Sequence, residues 1–366
     1  AHDPSGESQP SYIGNITVSA ENNDSDNVKV YLRVTDLAGN VYTMDEEDAC
    51  SLKIRAGKPT GEVQFKADSP HREEEGRAYF GAARSASLVI TDTADTFVED
   101  ITVNPTGGEK HYGMAVKVDA VDFNGNEVIF TGEDLKVAWT HSGDRHTAEL
   151  TFSKDANYTL ESFVYTNKAD MSSGDIEIKG NFPSTFTVDT TRPVTSEQGD
   201  RENASWIGFE ENIWSKLASA LTFGAWSNGT VTVEAGGKDA TSPIAAPIKY
   251  YKTDGDTSLK TAAELDQLYE EGEFTEVPCQ VDQDEKFIVY AKIIDYAGNS
   301  VYISTEGIIR ETKPGTVQAE LVGGTNAYGY YNTDVKIRVD ASDFQEEGAL
   351  TSGIKTIDYT IKGEDK

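Results

Sequence analysis

Oxygen-bearing side chains crowd one turn of the sequence, where they could bind a hard metal ion. Asp119, Asp122 and Asn124 lie within six residues of one another, and Ca²⁺ prefers carboxylate and amide oxygens as ligands. The spacing departs from an EF-hand loop, because Ala120 occupies the acidic position before Asp122 and no Glu closes the loop. Calcium binding here therefore competes with a second interpretation, an Asn-Gly hairpin with polar flanks.

Asp36 and Asp295 can likewise be interpreted as calcium ligands or as turn-forming residues. Each is the first residue of a copy of the pentapeptide Asp-x-Ala-Gly-Asn. In both copies an apolar strand precedes the motif and another follows it. An Asp side chain can accept hydrogen bonds from backbone amides two residues on, and Gly-Asn suits a turn. The motif predicts a strand–turn–strand corner, and a calcium site at Asp36 or Asp295 is the functional alternative.

Three tryptophans, Trp206, Trp214 and Trp226, fall within 21 residues of one another. Exposed aromatic side chains can stack on a sugar or anchor a protein partner. The competing interpretation places Trp214 with Leu217 on the inner face of a short helix, as part of a core. Trp206, Trp214 and Trp226 are therefore candidate partner-binding residues.

Motifs for catalysis are missing from the sequence. It contains no Gly-x-Ser-x-Gly elbow and no phosphate-binding glycine loop before a helix. His141 and His146 flank a Gly-Asp turn, but no third ligand is spaced with them for a metal. A carboxylate pair for glycoside hydrolysis is set by the fold and stays open. We expect no enzymatic activity and no required cofactor.

The charge composition of this chain of 366 residues argues against two classes of binding partner, nucleic acids and anionic membranes. Its 32 Lys and Arg against 63 Asp and Glu give a net charge of −31. Nucleic-acid binders need basic residues and binders of anionic membranes need a polybasic patch, so we expect neither partner. No run approaches the ~18 apolar residues of a membrane span, so we expect no membrane insertion. Cys50 and Cys279 fall in different predicted domains and are expected to be free.

Short alternating runs rich in Val, Ile, Thr and Tyr recur between Gly, Asn, Asp and Pro, which predicts an all-β fold of sandwich type. Asn124-Gly125 predicts a tight hairpin. Two segments read as short helices. The first carries an apolar stripe from Ile213 to Leu221. The second opens with a capping box at Thr261–Glu264.

Prolines at three junctions divide the chain. Pro59 and Pro193 are 134 residues apart, and Pro193 and Pro314 are 121 apart, each close to the size of one sandwich. Residues 1–58 hold the corner and closing strands of a sandwich, and residues 315–366 hold opening strands. We expect complete domains at 59–193 and 194–314, and half-domains at 1–58 and 315–366. Each half must lean on its neighbour, pair with the complementary half of another molecule, or be ordered by a partner.

These motifs resemble bacterial immunoglobulin-like (Big-type) repeat domains of Gram-positive cell-surface and secreted proteins. The resemblance is carried by residues 289–299 with the junction 307–314, and in the middle domain by the hairpin 139–152 and the junction 186–193. The middle domain departs from it, because residues 165–170 stand where the Asp-x-Ala-Gly-Asn corner is expected. The resemblance implies tandem immunoglobulin-like sandwiches in an extended array on the outside of a bacterial cell.

The expected function is a non-catalytic binding or spacer region of a cell-surface adhesin. Such a region would recognise a host protein, host immunoglobulin being one concrete option, or present a binding tip beyond its adjacent repeats. Sandwich edges can recruit partner strands without hallmark residues. The alternatives are an accessory region of a large secreted carbohydrate-active enzyme and a carbohydrate-binding module, for which a glycan is the partner.

Overall fold

The computed structural model describes residues 13–22, 25–107, 110–135, 137–197, 199–254, 258–343 and 350–363. Strands make up most of its regular structure, and within these ranges there is one α-helix. Strand pairing never crosses Pro59, Pro193 or Pro314 in the described part. We therefore describe the chain as segment I (25–58), segment II (59–193), segment III (194–314) and segment IV (315–363).

Segment I forms two separate antiparallel ladders and little core. Its first ladder joins β1 to β4 and its second joins β2 to β3. Val34, Val41 and Tyr42 are about half exposed or more, and Cys50 is exposed and free, as Cys279 of segment III is free. The strands are β1 (Ser25–Val30), β2 (Arg33–Thr35), β3 (Val41–Thr43) and β4 (Cys50–Ile54), after a 3-10 turn at Ala20–Asn22.

Segment II is a two-sheet structure that contains the largest core. A seven-stranded sheet runs β6-β7-β16-β13-β10-β9 with β14 beside β13, and a five-stranded sheet runs β11-β12-β8-β5-β15. The strands are β5 (Thr60–Phe65), β6 (Arg72–Glu74), β7 (Arg77–Phe80), β8 (Arg84–Thr91), β9 (Ile101–Val103), β10 (Gly113–Val121), β11 (Trp139–Ser142), β12 (Arg145–Phe152), β13 (Ala156–Thr166), β14 (Ser172–Asp175), β15 (Ile178–Lys179) and β16 (Thr185–Val188), with a 3-10 turn at Gly132–Leu135.

The period-2 pattern of these strands explains the core. Along β8 the inward residues Ala86, Leu88 and Ile90 are fully buried, while alternate residues face outward. Phe65 and Phe152 stack at 5.8 Å between ring centroids from the same sheet. Apolar burial of this kind stabilises a sandwich at roughly 25 cal/mol per Å² removed from water.

The Asn-Gly hairpin predicted at 124–125 is confirmed. Val121 and Glu127 form an antiparallel bridge across it, and the Val128 N–H donates to the Ala120 carbonyl at 2.8 Å. Gly125 has a φ of +81°, which glycine adopts without steric cost.

Segment III holds the second core, built from three small sheets. Their orders are β18-β17-β20-β22, β19-β26-β23 and β21-β24-β25. The strands are β17 (Trp206–Phe209), β18 (Asn212–Trp214), β19 (Ala225–Ser227), β20 (Val231–Gly236), β21 (Lys249–Lys252), β22 (Cys279–Val281), β23 (Glu285–Phe287), β24 (Val289–Ile294), β25 (Ser300–Ser304) and β26 (Ile308–Arg310). The helix α1 (Ala262–Glu270) begins at the predicted capping box of Thr261 and Glu264.

The helix predicted from Ile213 to Leu221 is wrong. Ile213 pairs with Gly208 in an antiparallel hairpin instead. The amides that follow bond to distant side chains, since the Ala218 N–H donates to Ser304 Oγ and the Thr222 N–H to Glu306 Oε1, both at 2.9 Å. These tertiary bonds replace the i→i−4 bonds of a helix, so the apolar stripe reflects packing rather than helical period.

Segment IV is a single antiparallel hairpin of β27 (Thr316–Val322) and β28 (Lys336–Ser342). Every residue of β27 is exposed, and so are all but one of β28. In the described residues, no helix is both long and apolar enough to cross a membrane.

A buried cation organises one end of the segment II core. Arg84 is fully buried, and its guanidinium lies 4.4 Å from the ring centroid of Phe80 and 4.8 Å from that of Phe186. It donates to the carbonyls of Asn181 and Phe182. Burial lowers its pKa to about 10, so the charge survives at neutral pH and is held by aromatic faces and carbonyl dipoles.

We expect Arg84→Ala to lower the free energy of unfolding by about 3 kcal/mol, because it removes these contacts and leaves two carbonyls without a donor. Urea unfolding followed by tryptophan fluorescence measures the change. Arg145→Ala, at an exposed position of β12, is the matched control and should stay within about 0.5 kcal/mol of wild type. Equal effects of the two variants would contradict the assigned role of Arg84.

A candidate metal centre between segments II and III

Segments II and III are in direct contact around the stretch of chain that follows β16. The Phe123 N–H donates to the Ala240 carbonyl at 2.9 Å, and Asn157 Nδ2 donates to the Thr241 carbonyl at 2.9 Å. The rings of Tyr79 and Tyr296 lie edge to face at 5.1 Å. These contacts join two sheet structures at defined points rather than through a free linker.

Glycine permits the closest approach in this junction. A Cβ on Gly298, which has a φ of +94°, would lie 2.6 Å from His71 Nδ1. A Cβ on Gly81 would lie 2.7 Å from the Ala297 carbonyl oxygen. The corner at 295–299 therefore packs flush against segment II only because neither position carries a side chain.

The corner itself is built by the side chain of Asp295. The Asn299 N–H donates to its Oδ1 and the Asn299 amide to its Oδ2, both at 2.9 Å. Asn299 Nδ2 also donates to the Asp189 carbonyl at 2.9 Å. The predicted strand–turn–strand corner is thus confirmed, and it holds Asp295 next to Asp189, the residue after β16.

Three carboxylates converge at this point: Asp189 after β16, Asp239 after β20, and Asp295 at the corner. One oxygen of each lies within 4.8 Å of the others. Asp189 and Asp295 are fully buried and Asp239 is partly buried. Within the described residues this is the one group of three or more acidic, His or Cys side chains arranged to hold a metal ion.

Hydrogen bonds satisfy some of these oxygens and leave one unpaired. Asp189 Oδ2 accepts from Ser242 Oγ, and Asp189 Oδ1 accepts from Thr191. Asp239 Oδ1 accepts from the N–H groups of Thr241 and Ser242 at 2.8 and 3.1 Å. Asp239 Oδ2 is buried and has no hydrogen-bond partner. A buried carboxylate oxygen without a partner is costly, and a bound cation would satisfy it.

Electrostatics at the cluster favour neutralisation. Burial raises the pKa of the Asp189 carboxyl to about 7, with further increases from Asp239 and Asp295 and a decrease from the Ser242 bond. Burial also raises the pKa of Asp295 to about 6, against the lowering effect of its hydrogen bonds with Asn299. Three like charges at this distance repel unless a proton or a cation compensates them.

The donor set suits calcium. Ca²⁺ binds oxygen at about 2.4 Å, so two of its ligands can be at most about 4.8 Å apart, and the three oxygens all lie within 4.8 Å of one another. Mg²⁺ demands shorter, near-octahedral bonds, and Zn²⁺ in proteins usually has His or Cys ligands. Asp189, Asp239 and Asp295 would hold the ion and Ser242 would orient Asp189.

The structure separates the five calcium candidates of the sequence. Asp295 lies in the cluster. Asp36 forms the same corner with Asn40 but is exposed. Asp122 accepts from the Asn124 and Asn126 amides in a turn of the same kind, so the Asn-Gly interpretation describes its geometry. Asp119 is exposed on β10.

Two members of the cluster, Asp189 and Asp239, were missed by sequence reasoning. Asp189 belongs to the Pro-terminated junction, and the repeat of that junction beside a corner was the available signal. Asp239 carries no motif, because it reaches the site only through the path of the loop after β20.

Segment II lacks the Asp-x-Ala-Gly-Asn motif, and Asn167 builds a turn of the same kind in its place. The Ala169 and Met171 N–H groups donate to Asn167 Oδ1 at 3.0 Å, and Asn167 Nδ2 donates to Asp92 Oδ1 at 3.1 Å. Asn can accept the turn-forming bonds as Asp does. This corner thus lacks the charge of Asp295. At the junction before segment II, Arg55 stands four residues before Pro59, the position that Asp189 occupies before Pro193.

The three candidate tryptophans do not share one surface. Trp214 pairs with Ile207 and packs against the segment III core. Trp206 is half-buried, with the Arg201 guanidinium 4.2 Å above its ring. Trp226 is 40% exposed and lies in the sheet of β26 instead.

His141 and His146 bond to each other across the β11–β12 hairpin. Their Nδ1 atoms are 2.8 Å apart, and His146 Nε2 lies 3.0 Å from the Asp92 carbonyl oxygen. His146 stacks on Phe97 at 3.7 Å. Both His146 nitrogens are thus committed to protein partners.

We expect Asp189→Asn to change how the stability of the protein depends on pH, because it removes one ionisable carboxyl from the cluster. Its folded pKa of about 7 exceeds the unfolded value, so the folded state binds a proton between pH 4 and 7 and wild-type stability falls as pH rises through that window. In chelator, Asp189→Asn should therefore raise the melting temperature relative to wild type more at pH 8 than at pH 5.

At pH 8, added calcium should raise the melting temperature of wild type above that of Asp189→Asn. A hundredfold excess over Kd would stabilise wild type by about 2.7 kcal/mol, and Asp189→Asn should lose most of this gain. Asp122→Asn makes the same change in a turn outside the cluster and should respond like wild type. If the melting temperature of wild type is the same in calcium and in chelator, the cluster is not a metal centre.

No protein-family model matches the chain, and no curated protein matches it significantly in sequence. The geometry of the junction is therefore the basis on which its function is argued.

Proposed function

We propose that this chain is a non-catalytic spacer and binding region of tandem immunoglobulin-like domains on a bacterial cell surface, whose central junction is fixed by bound Ca²⁺. The observation that carries the proposal is the convergence of Asp189 from segment II with Asp239 and Asp295 from segment III. Residues 59–193 and 194–314 are the two domains, and the junction sets the angle between them.

An ion held by both domains would make the junction stiff. Asp189 follows directly on β16 in the middle of a seven-stranded sheet, and Asp295 follows directly on β24. Both ligands are therefore fixed to their cores, so a shared ion couples the two cores rather than two loose loops. A stiff junction lets such a region hold a binding tip at a distance or present one face to a host protein.

The acidic surface agrees with this setting. A net charge of −31 keeps neighbouring copies apart and discourages edge-to-edge strand pairing. The resemblance of residues 289–314 to bacterial surface repeats supports an extracellular location. A host protein is the favoured partner, with host immunoglobulin as one concrete option.

Small-angle X-ray scattering tests the junction. With calcium, wild type should give one narrow distribution of interatomic distances, and chelator should broaden it because the shared ion is removed. Asp239→Asn should show the broad distribution under both conditions, while Asp122→Asn should follow wild type. Identical curves with and without calcium would contradict the proposal. Capture of host serum immunoglobulin then tests the partner.

A glycan is the second candidate partner, because Trp226 lies exposed beside polar groups. It lines a cleft of about 360 Å³ with Glu210, Asn228, Glu311 and Ser352. Aromatic faces with neighbouring carboxylates suit sugar rings. This would make the chain a carbohydrate-binding or accessory region of a secreted enzyme.

A glycan array separates the two partners. If the cleft binds sugar, Trp226→Ala should lower the array signal at least tenfold, while Trp206→Ala, which removes a tryptophan from another sheet, should leave it unchanged. Protein capture with no glycan signal would reject the second candidate.

A further inference from the structure

The junction between segments I and II follows the same plan as the junction between segments II and III, but its charges differ. Arg55 stands four residues before the first junction proline, where Asp189 stands before the second. The turn in the place of the Asp295 corner is built by Asn167, which is neutral. Two positions that supply carboxylates to one junction therefore supply a cation and an amide to the other.

The third acid of the cluster has a counterpart in segment II. Asp92 follows β8, as Asp239 follows β20 in segment III. Asn167 Nδ2 donates to Asp92 Oδ1 at 3.1 Å, so this acid lies against its turn as Asp239 lies against Asp295. The Oδ2 atoms of both acids are buried and have no hydrogen-bond partner among the described residues. Each junction thus holds a buried carboxylate oxygen that nearby positive charge would stabilise.

Arg55 lies between carboxylates of both segments. Its Nη2 is 2.6 Å from Asp26 Oδ2 of β1 and 3.9 Å from Asp95 Oδ2, in the loop that follows β8. Only 18% of the Arg55 side chain is exposed. The same loop is bound to the turn of segment II, because the Lys168 N–H donates to the Thr96 carbonyl at 2.9 Å. Arg55 therefore connects the first strand of segment I to the loop that carries the acids of segment II.

The charge of Arg55 is needed because two acids from different segments meet beside it. A hydrogen bond between the side chains of Asp26 and Asp95 raises the pKa of Asp26, burial adds to the rise, and the charge of Arg55 opposes it. The pKa of Asp95 is lowered, first by that hydrogen bond and then by the charges of Lys53, Arg55 and Lys168. Two carboxylates in contact repel each other unless positive charge compensates them.

Arginine recurs at the third junction, which makes Asp189 the exception. Arg310 stands four residues before Pro314. Its Nη1 is 2.9 Å from Asp284 Oδ1 of its own segment, as Arg55 contacts Asp26 of its own segment. At the junction between segments II and III, by contrast, the charged neighbours with the largest effects on the pKa of Asp189 are both acidic.

We propose that Arg55 is an internal cation that joins segments I and II, so that this junction holds its geometry without a metal ion. Its guanidinium compensates Asp26 and Asp95, which come from the two segments. Combined with the proposed function, on which this further step rests, the chain has one joint made by the protein alone and one set by calcium. Removal of calcium then frees segment III from segment II, while segments I and II stay in one arrangement.

Pulsed electron paramagnetic resonance on pairs of spin labels measures each junction separately, as a distribution of distances. For segments I and II, the labels are attached to native Cys50, which is exposed, and to Ser87→Cys on the outward side of β8, in a chain with Cys279→Ser. For segments II and III, they are attached to Ser87→Cys and to Val277→Cys, with both native cysteines replaced by Ser. Val277 is 70% exposed.

In wild type the I–II distribution should be equally narrow in calcium and in chelator, because the joining charge belongs to the protein. The II–III distribution should be at least twice as wide in chelator as in calcium. Arg55→Gln should widen the I–II distribution at least twofold in both conditions, because Asp26 and Asp95 then repel each other. It should leave the II–III distribution unchanged.

Asp95→Asn separates an effect of charge from an effect on folding. The Asp95 side chain is 69% exposed, so the change leaves the cores intact. It removes both the contact with Arg55 and the repulsion from Asp26, and we expect a smaller widening than Arg55→Gln gives. The double variant should be as narrow as Asp95→Asn alone, because no pair of acids remains to repel.

Arg33→Gln is the matched control, since it removes the same charge from an exposed strand of segment I and should leave the I–II distribution narrow. The proposal is overturned if Arg55→Gln leaves that distribution narrow, if chelator widens it, or if the double variant is as wide as Arg55→Gln. A II–III distribution that calcium does not change would reject the metal centre, while the I–II measurements would still decide the role of Arg55.

Discussion

A hydrogen bond from a backbone N–H to an Asp or Asn side chain four residues earlier recurs through this chain and fixes its corners. This bond closes the turn between two strands. It therefore fixes the direction of the second strand relative to the first, whichever residues occupy the turn. The N–H to Oδ1 distance is 2.8–3.1 Å at all five first residues: Asp36, Asp122, Asn167, Asp295 and Asn326.

What the corner can do depends on which side chain makes it and on how deeply it is buried. The Asn167 corner is made by a neutral side chain, and its Nδ2 donates to Asp92 Oδ1. Asp36 is exposed. Asp295 alone of these combines charge, full burial and two neighbouring carboxylates. The same turn thus closes a corner in each case, and at Asp295 it also supplies one carboxylate of the proposed calcium site.

Local chemistry was predictable from sequence, and tertiary convergence was not. The capping box of α1, the Asn-Gly hairpin and the Asp295 corner follow from neighbours in sequence. The apolar stripe from Ile213 wrongly predicted a helix. Backbone amides of this stretch donate hydrogen bonds to Ser304 and Glu306, about 85 residues away in sequence. Asp189 and Asp239 likewise meet only because two segments pack together. For Asp189 the available signal was the repeat of the Pro-terminated junction beside a corner, whereas Asp239, one of 63 acidic residues, carried no such signal.

The repulsion among the acidic residues of the whole chain and the repulsion among the three junction carboxylates respond differently to salt. At physiological ionic strength the Debye length is about 8 Å, so most of the 63 acidic residues are screened from one another. The three junction oxygens lie within 4.8 Å and two of their side chains are buried, so dissolved salt does not reach between them. Their repulsion is relieved only by a proton or by an ion that enters the site. If the proposed site binds calcium, sodium chloride at equal ionic strength should therefore not replace it, because such a site would select its ion by coordination rather than by charge screening.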